Sequence, residues 1–529
     1  MDSLQLPPPY RGVNDKLPII AVQSPQCEEL LNWNIFEGGI KLRSGDGFGF
    51  QSGLISIDPF RMDSLIAYGT TRLYAIYSYN TLGLAAVFNF ETGTEEYTYA
   101  LGAFINDYFA TLYFNNYLFI FPYTSANAGF QYSGAAWAVL GYTGTGTFKP
   151  FGGNIFKNRS YLIQKDEAAY WYSAINAIAG ALTKVDLSTI VSEKTFLAAI
   201  GSFTLSDQQT TDVYQVFIMA NGEVLFYSGS YPNASDWQII GRTKISQPLN
   251  YNATIIYQGD TLVLTDAGIV SLRDLFLKGA QQAQSFSVSD NTNAKWKALV
   301  TAIRTAKSVP TGPIRSATTG NIRGVYDSDL ERIIVSFPYY LDSNGALQTG
   351  NYQFVFNANL LAWQHHQSYS ELATQLLDIT VYKQQVCQLF LNSAGRATVT
   401  KKETADYPAD TDLYSATYHG YVFDLVSAAV GNGRGFMQKA EGLDVIANSD
   451  IWAHVNFQLI KDFGVAQTLD QICQGAVSGS LQKPYVNIGL EGSFIQYRIH
   501  GTTPDGTTAS IGLELYGINF WYSQGESPR

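Results

Sequence analysis

The sequence has few cysteines and no long apolar run. Its three cysteines in 529 residues, Cys27, Cys387 and Cys473, fit neither a disulfide framework nor a zinc site, because they are odd in number and widely spaced. No stretch approaches the roughly 20 apolar residues of a membrane helix, and the N-terminus lacks the apolar core of a signal peptide. We therefore expect a soluble protein without a membrane anchor, made in a reducing cytoplasm.

Charged residues are also scarce. They make up 15% of the chain, with 44 acidic against 33 basic side chains and a formal net charge of −11. Lys and Arg form no long run, whereas tight binding of nucleic-acid phosphates needs clustered cations. The sequence therefore argues against a protein that grips DNA, although it allows one that surrounds DNA.

Aromatic residues are abundant, with 35 Tyr and 31 Phe, and this composition favours half-buried strands over solvated helices. From about residue 65, short apolar runs alternate with turns rich in Gly, Asn, Asp and Ser, which is typical of a sandwich, barrel or propeller. Several units repeat a strand, a turn, a strand and an aromatic residue at about the 40 to 50 residues of a propeller blade. We predict a mainly β fold with a β-propeller, and residues 60–400 have room for about six to eight blades.

Two segments carry helix signals. In residues 294–306, Trp296, Leu299, Val300 and Ile303 form one apolar stripe at helical spacing. A shorter helix is predicted at 370–377, after a possible N-cap serine.

The predicted organisation has three parts. Residues 1–60 form an extended arm and a first strand, and residues 61–400 form the propeller with a helical insertion near 294–306. Residues 401–529 form an additional C-terminal β domain.

The hairpin NGEVLFYSGSYPNASDWQIIG, residues 221–241, poses the question of whether its loop is a binding site. Asn221-Gly222 is a tight-turn signal between two apolar runs, and Trp237 opens the next strand. We interpret the loop as a blade connection and expect Trp237 to pack between blades without holding a ligand.

No motif predicts catalysis or metal binding. The glycine-rich segments at 45–49 and 431–435 lack the following helix and the GK[ST] sequence of phosphate loops. The acidic residues are predicted to lie in turns and no carboxylate pair stands out. The five histidines, including the adjacent His365 and His366, lack metal-ligand spacing and are expected on the surface or at a pocket edge. We therefore predict no catalytic residue, no cofactor and no metal, and a protein that is not an enzyme.

The N-terminal sequence PPPYRGVNDKLPII, followed by CEELLNWNIFEGGIKLRSGDGF, resembles the opening of tail hub, or nozzle, proteins of short-tailed bacteriophages. The matching positions are Leu31, Asn32, Gly39, Leu42, Arg43 and Gly45.

The centre of the chain is similar to the same family. GEVLFYSGSYPNASDWQIIGRTKISQPL and YQGDTLVLTDAGIVSLRDL resemble its succession of a hairpin, a loop ending in Pro, a Trp strand and a further strand. The matching positions are Glu223, Tyr227, Gly229, Pro232, Trp237, Gly241, Asp260, Thr265 and Gly268. YQFVFNANLLAWQHH resembles a later blade that contains Trp363, with Ala362 where the family usually has Gly.

The resemblance implies a structural virion protein, a subunit of the tail nozzle ring. Such a ring, a hexamer, extends the portal–adaptor channel and conducts or retains the genomic DNA during ejection, without binding it specifically. Its partners would be the tail adaptor and portal complex and the tail fibres or tip and needle proteins. The chain would be assembled in the host cytoplasm and reside in the phage tail.

Eight residues are predicted to support this structure: Asn32, Arg43, Gly222, Tyr227, Trp237, Gly241, Gly268 and Trp363. Two other functions stay open, a propeller-type polysaccharide depolymerase and a receptor-binding adhesin, because β-propellers also host glycosidases.

Overall fold

The fold is described by a computed structural model of the chain. The residues it describes are 2–6, 11–14, 26–37, 39–42, 47–48, 60–79, 83–101, 109–123, 127–206, 211–251, 253–285, 292–309, 314, 322–367, 373–392, 397–402, 410–411, 418–419, 422–427, 430–431, 438–448, 455–461, 466–469, 485–492, 494–502 and 514–524.

The centre of the chain is a seven-bladed β-propeller, so the predicted mainly β fold is confirmed. Successive blades contact one another around a ring, and blade 7 contacts blade 1. The strands are Phe60–Tyr68, Arg72–Tyr79, Leu84–Asn89 and Thr94–Ala100 in blade 1; Phe109–Phe114, Tyr117–Pro122, Phe130–Tyr132 and Trp137–Val139 in blade 2; Pro150–Phe156, Arg159–Gln164, Ala169–Tyr172 and Thr183–Asp186 in blade 3; Leu197–Ser206, Thr211–Met219, Glu223–Ser228 and Gln238–Lys244 in blade 4; Thr254–Tyr257, Asp260–Thr265 and Gly268–Ser271 in blade 5; Arg323–Asp327, Arg332–Leu341, Leu347–Asn357 and Ala362–Gln367 in blade 6; and Ala373–Tyr382, Gln385–Asn392, Ala397–Lys401 and Gly47–Phe48 in blade 7. Between blades 2 and 3, Tyr142–Thr143 pairs in parallel with Gly180–Ala181.

The last blade is completed by the N-terminal arm. Gly47–Phe48 pairs with Ala397–Lys401 as the outermost strand of blade 7. The ring is therefore closed by a segment that precedes blade 1 in sequence and joins the last blade. This closure joins two segments about 350 residues apart in sequence, a long-range pairing whose loop-closure entropy the rest of the ring must offset.

Apolar clusters fill the seams between blades, and one of them spans both seams of blade 3. Val224 and Leu225, consecutive in one strand, are both fully buried, Val224 against blade 5 and Leu225 against blade 3. Because both faces of a blade are covered, the strands are continuous apolar runs rather than alternating ones.

Two helices interrupt the strands after blade 5. The first, Leu272–Ser285, packs against blades 4 and 5 and contains the non-helical Gly279. The second, Asn293–Lys307, agrees with the predicted insertion and buries Trp296, whose indole N–H donates to the Thr265 carbonyl at 2.9 Å. Neither of these helices has the length and apolarity needed to span a membrane.

Strands from both ends of the chain share two further sheets. Cys27–Leu31 lies between Ala362–Gln367 and Val422–Ser427, so the sheet of blade 6 continues into a ten-stranded sheet. This sheet also contains Val430–Gly431, Val455–Lys461, Ala466–Leu469 and Phe494–Thr502. A six-stranded sheet contains Asp2–Leu6, Trp33–Phe36, Gly39–Leu42, Gln438–Asn448, Tyr485–Gly492 and Glu514–Gln524, and Asp410–Thr411 pairs with Tyr418–His419.

Polar contacts fix the arm to blade 6. Asn32, at a φ of 60°, donates its backbone N–H to the His365 carbonyl at 2.8 Å, and its side-chain amide exchanges hydrogen bonds with the backbone of Gln367. The Glu29 carboxylate lies 3.0 Å from Nδ1 of His365, and it also accepts a hydrogen bond from Lys295 of the second helix. Blade 6, the arm and the helix are therefore joined at one point.

Two sequence predictions are wrong here. His365 and His366 were expected at the surface or at a pocket edge, but both are buried, because the arm strand pairs with theirs and Glu29 and Trp33 of the arm contact their rings. The helix predicted at 370–377 is a strand from Ala373 onward; Leu376 packs towards blade 6 and Leu377 towards blade 1. A strand buried on both faces has no alternation that would distinguish it from a short helix.

Candidate functional site

A cavity of about 860 Å³ lies on the propeller axis. Residues of the first strand of every blade contribute to its wall, among them Ala67, Tyr113, Ser202 and Ile256. Ile256 is 72% exposed and Tyr113 50% exposed, so the wall presents apolar surface to the cavity. Of the described residues that line it, Arg323 is charged and none is Asp or Glu.

An ion pair beside this cavity ties three blades together. Arg323 of blade 6 donates through Nη1 to both carboxylate oxygens of Asp378 in blade 7, at 3.1 and 2.8 Å. The backbone N–H groups of Leu65 in blade 1 and of Ile379 also donate to Asp378, each at 2.9 Å. Burial raises the pKa of the Asp378 carboxyl, while Arg323 and the two amides oppose that rise. The pair therefore lies where the ring closes.

The size and chemistry of the cavity limit what it can hold. Its volume is in the range of small-molecule pockets. The neutral polar groups in the wall, such as Thr111, Asn154 and Thr380, can hydrogen-bond a small solute, but the described wall offers no carboxylate as a general acid.

Trp237 lies in the seam between blades 3 and 4. Its ring stacks on Tyr227 of its own blade at 5.2 Å and on Tyr161 of blade 3 at 6.3 Å, and it meets Phe156 edge-on at 6.0 Å. Its partners are buried aromatic side chains, and Trp237 itself is half-buried. This geometry is that of a packing residue.

We expect Trp237→Ala to lower the free energy of unfolding by about 2 to 3 kcal/mol. The loss should stay below that of a fully buried Trp because part of the ring is already exposed. Urea unfolding measures it, with Leu361→Ala as a control at a 70% exposed side chain, where the change should stay within about 0.5 kcal/mol. Equal stabilities of the two variants would contradict the packing role.

Glu223 departs from the expectation that the acids lie in exposed turns. It begins a strand, is buried, and its carboxylate contacts Arg242 and accepts from the backbone N–H and hydroxyl of Ser192 at 3.0 and 2.8 Å. Burial alone would raise the pKa of Glu223, but the Ser192 and Arg242 contacts outweigh it and hold that pKa below its ordinary value of 4.5. The carboxylate links the end of blade 3 to two strands of blade 4.

Because this pKa is lowered in the folded state, the carboxylate stabilises the fold above about pH 4.5 and loses that contribution as the pH falls through the lowered value. We expect Glu223→Gln to cost about 1 to 3 kcal/mol at pH 7, and less at pH 3. Urea unfolding of both proteins at the two pH values measures this difference. A stability loss that is the same at both would contradict the ionic role.

The other predicted residues are not brought together at one site. Gly222 closes the hairpin at a φ of 86°, and Gly241 lies against the Phe226 ring opposite a bulge. Gly268, at a φ of 129°, follows a turn in blade 5 that the Thr265 hydroxyl closes by donating to the Gly268 carbonyl. Buried Trp363 packs on Phe356 in blade 6. Arg43 lies outside the described residues.

Asp260 is a second buried acid that sequence reasoning placed in a turn. Its carboxylate accepts from the Ser271 hydroxyl at 2.5 Å and from the backbone N–H groups of Thr261 and Arg273 at 2.8 and 3.1 Å. Burial raises the pKa of Asp260. It fixes two strands of blade 5, Asp260–Thr265 and Gly268–Ser271, to the start of the first helix. Over the part of the chain that the structure describes, no three His, Cys, Asp or Glu side chains come together as around a metal ion.

No protein-family model matches the sequence, and no curated protein matches it. Solved structures with some similarity include Raptor of Chaetomium thermophilum, with 10% identity and a TM-score of 0.40, where the match covers 68% of this chain and 29% of the Raptor chain. Another is an exo-β-1,3-galactanase of Phanerochaete chrysosporium with galactose, with 11% identity, a TM-score of 0.23 and coverage of 72% and 98%. A third is the computationally designed Ika8 protein, with 8% identity, a TM-score of 0.33 and coverage of 68% and 99%. These likenesses are too distant to bear on function, and the strand pairing itself defines the seven blades.

Proposed function

We propose that this protein is a structural subunit of a phage tail nozzle, in which copies form a ring that conducts or retains DNA. The resemblance of the arm and of blades 4 and 5 to tail nozzle proteins is the starting point. The hexameric ring, the adaptor and portal complex above it and the fibres or tip proteins around it are part of the same proposal.

The observation that carries the proposal is the ten-stranded sheet. It extends blade 6 outward through the arm strand Cys27–Leu31 into C-terminal strands, so the propeller and both chain ends share one hydrogen-bonded sheet. Because a sheet transmits strain better than a linker does, such a subunit suits a rigid ring.

The axial cavity supports a role for the assembly rather than for the single propeller. The cavity of about 860 Å³ on the propeller axis has the size of a small-molecule pocket, so we assign the transport of DNA to a lumen surrounded by several copies. Head-to-tail contacts between copies generate such closed rings. The net charge of −11 and the scarcity of charged side chains favour a lumen that does not clamp phosphates.

Electron microscopy of the purified full-length protein, alone and with the adaptor complex, tests the proposal. We expect ring particles with an axial channel wide enough for duplex DNA. A monomer or trimer that binds host cells would instead support the adhesin, and release of reducing sugar from host-surface glycan would support the depolymerase; either result would contradict the nozzle.

A further inference from the structure

Arg323 has hydrogen-bonding capacity left over beside the axial cavity. Its Nη1 is engaged by Asp378, but Nε and Nη2 have no hydrogen-bond partner among the residues that the structure describes. The Arg323 side chain lines the cavity and is 34% exposed, whereas that of Asp378 is fully buried. A guanidinium group has five N–H donors, so Arg323 keeps several for a molecule in the cavity.

The protein holds this guanidinium group in place. Both carboxylate oxygens of Asp378 accept from Arg323, and the backbone N–H groups of Leu65 and Ile379 fix the same carboxylate, each at 2.9 Å. A side chain that is already positioned loses little conformational entropy when it binds a ligand. Arg323 is therefore a preorganised donor for an acceptor group in the cavity.

The charge of the wall limits the ligand to one negative charge. Of the wall residues that the structure describes, Arg323 is the cation and none is acidic. Its positive charge is already shared with Asp378, so it does not offset the nearly two negative charges of a phosphate monoester. A carboxylate carries one negative charge, and its two oxygens match two parallel N–H groups of a guanidinium.

The wall next to Arg323 is apolar. Ile256 of blade 5 is 72% exposed and lines the cavity, as does Tyr113 of blade 2, which is 50% exposed. The first strands of blades 5 and 6 pack closely, because a Cβ on Gly324 would lie 2.1 Å from Cδ1 of Ile255. A ligand that covers Ile256 removes apolar surface from water, which stabilises the complex.

We propose that the axial cavity binds a small organic monocarboxylate, with its carboxylate on Arg323 and an apolar body against Ile256. The guanidinium group then bridges two carboxylates, that of Asp378 and that of the ligand. Neutral groups of the wall, such as the Thr380 hydroxyl, can hydrogen-bond polar substituents of the ligand. The site lies within one subunit, so it is independent of ring assembly and of the proposed nozzle function.

Three ring compounds of similar shape test the charge of the ligand on the purified full-length protein. Benzoate is an anion, benzamide is neutral and benzamidinium is a cation, and ligand-observed NMR at pH 7 measures the binding of each. We expect a Kd on the order of 1 mM for benzoate, as suits so small a ligand, and binding about tenfold weaker for benzamide. Benzamidinium should not bind. Equal binding of the three, or no binding of benzoate at roughly 20 mM, would overturn the proposal.

A matched pair of variants tests the place of binding. Ile256→Glu adds a carboxylate of the protein to the wall near Arg323, where it repels the ligand and competes for the guanidinium group. Leu361→Glu makes the same charge change at a 70% exposed position in a turn of blade 6, outside the described wall. We expect the Kd of benzoate to rise at least about tenfold in Ile256→Glu and to stay within about twofold in Leu361→Glu. Equal Kd values in the two variants would contradict the site.

Arg323→Lys tests the guanidinium group itself. Lysine keeps a positive charge beside Asp378 but lacks the planar fork, so the Kd of benzoate should rise about tenfold. An unchanged Kd in the folded variant would contradict the role of Arg323. If Arg323→Lys does not fold, the comparison of Ile256→Glu with Leu361→Glu decides the outcome.

Discussion

Asp378→Ala is expected to lower the free energy of unfolding by about 3 to 5 kcal/mol, because two buried N–H donors and the half-buried Arg323 lose their acceptor. Asp378 is fully buried and accepts from Arg323, Leu65 and its own strand, so its loss leaves two buried N–H donors without an acceptor. The site joins blades 6, 7 and 1, and a defect there weakens the closure of the whole ring. Urea unfolding measures the change.

Asp329→Ala is the matched control, since Asp329 lies in an exposed turn of blade 6 and its removal should change stability by no more than about 0.5 kcal/mol. Asp378→Asn, which keeps one acceptor oxygen, should fall between the two. A loss of unfolding free energy below about 1 kcal/mol for Asp378→Ala would show that closure of the ring does not depend on the Arg323–Asp378 ion pair.

Gly222→Ala is the second large effect, with an expected loss of about 2 to 4 kcal/mol. Gly222 has a φ of 86°, and a Cβ there would lie 2.1 Å from the Ile245 carbonyl oxygen. That oxygen belongs to the backbone, which cannot move aside without shifting the end of blade 4, because the Ile245 N–H donates to the Gly222 carbonyl at 2.8 Å. The measurement is the midpoint and slope of urea unfolding.

Gly345→Ala separates the clash from the backbone conformation. Gly345 has a φ of 75°, close to that of Gly222, but a Cβ there meets no atom within 4 Å. Its substitution should cost roughly 1 kcal/mol, the price of the left-handed conformation alone. If Gly222→Ala and Gly345→Ala lower the free energy of unfolding equally, the clash with the Ile245 carbonyl does not contribute to the loss.

The propeller could be predicted from the sequence because its strands are covered on both faces and so appear as uninterrupted apolar runs. The number of blades could not be counted from the Trp-based pattern. A better signal was present in the first turn of the blades: FNNY, FKNR, YQGD and YKQQ, at 114, 156, 257 and 382, each place two turn-forming residues after an aromatic. Both turn residues of each segment have positive φ, so they form type I′ turns.

Other features depend on contacts that sequence patterns do not encode. The helix Leu272–Ser285 was missed because it follows directly from a strand, although Leu272, Leu275 and Phe276 have helical spacing. Buried Glu223 and His365 have their polar partners, Arg242 and Glu29, on other strands. The sequence predicts that Trp237 packs between blades, because it lies between two hairpins. The structure places its aromatic partners, Tyr161 and Tyr227, in the seam between blades 3 and 4.

The arm was the hardest part to place from sequence. Its residues pair with blade 6, blade 7 and C-terminal strands, each more than 300 residues away in the chain. Short strands such as Gly47–Phe48 have no periodicity of their own, so their position is set by the open edge of the last blade. The predicted limits at residues 60 and 400 stay predictions.

The central claim, that this chain is a subunit of an axial ring in a phage tail, is tested most directly by locating it in the virion. Cryo-electron microscopy of the tail should show the seven-bladed propeller repeated around the tail axis below the adaptor, with duplex-sized space enclosed by the copies. Density for this chain away from the axis, or its absence from the tail, would contradict the claim.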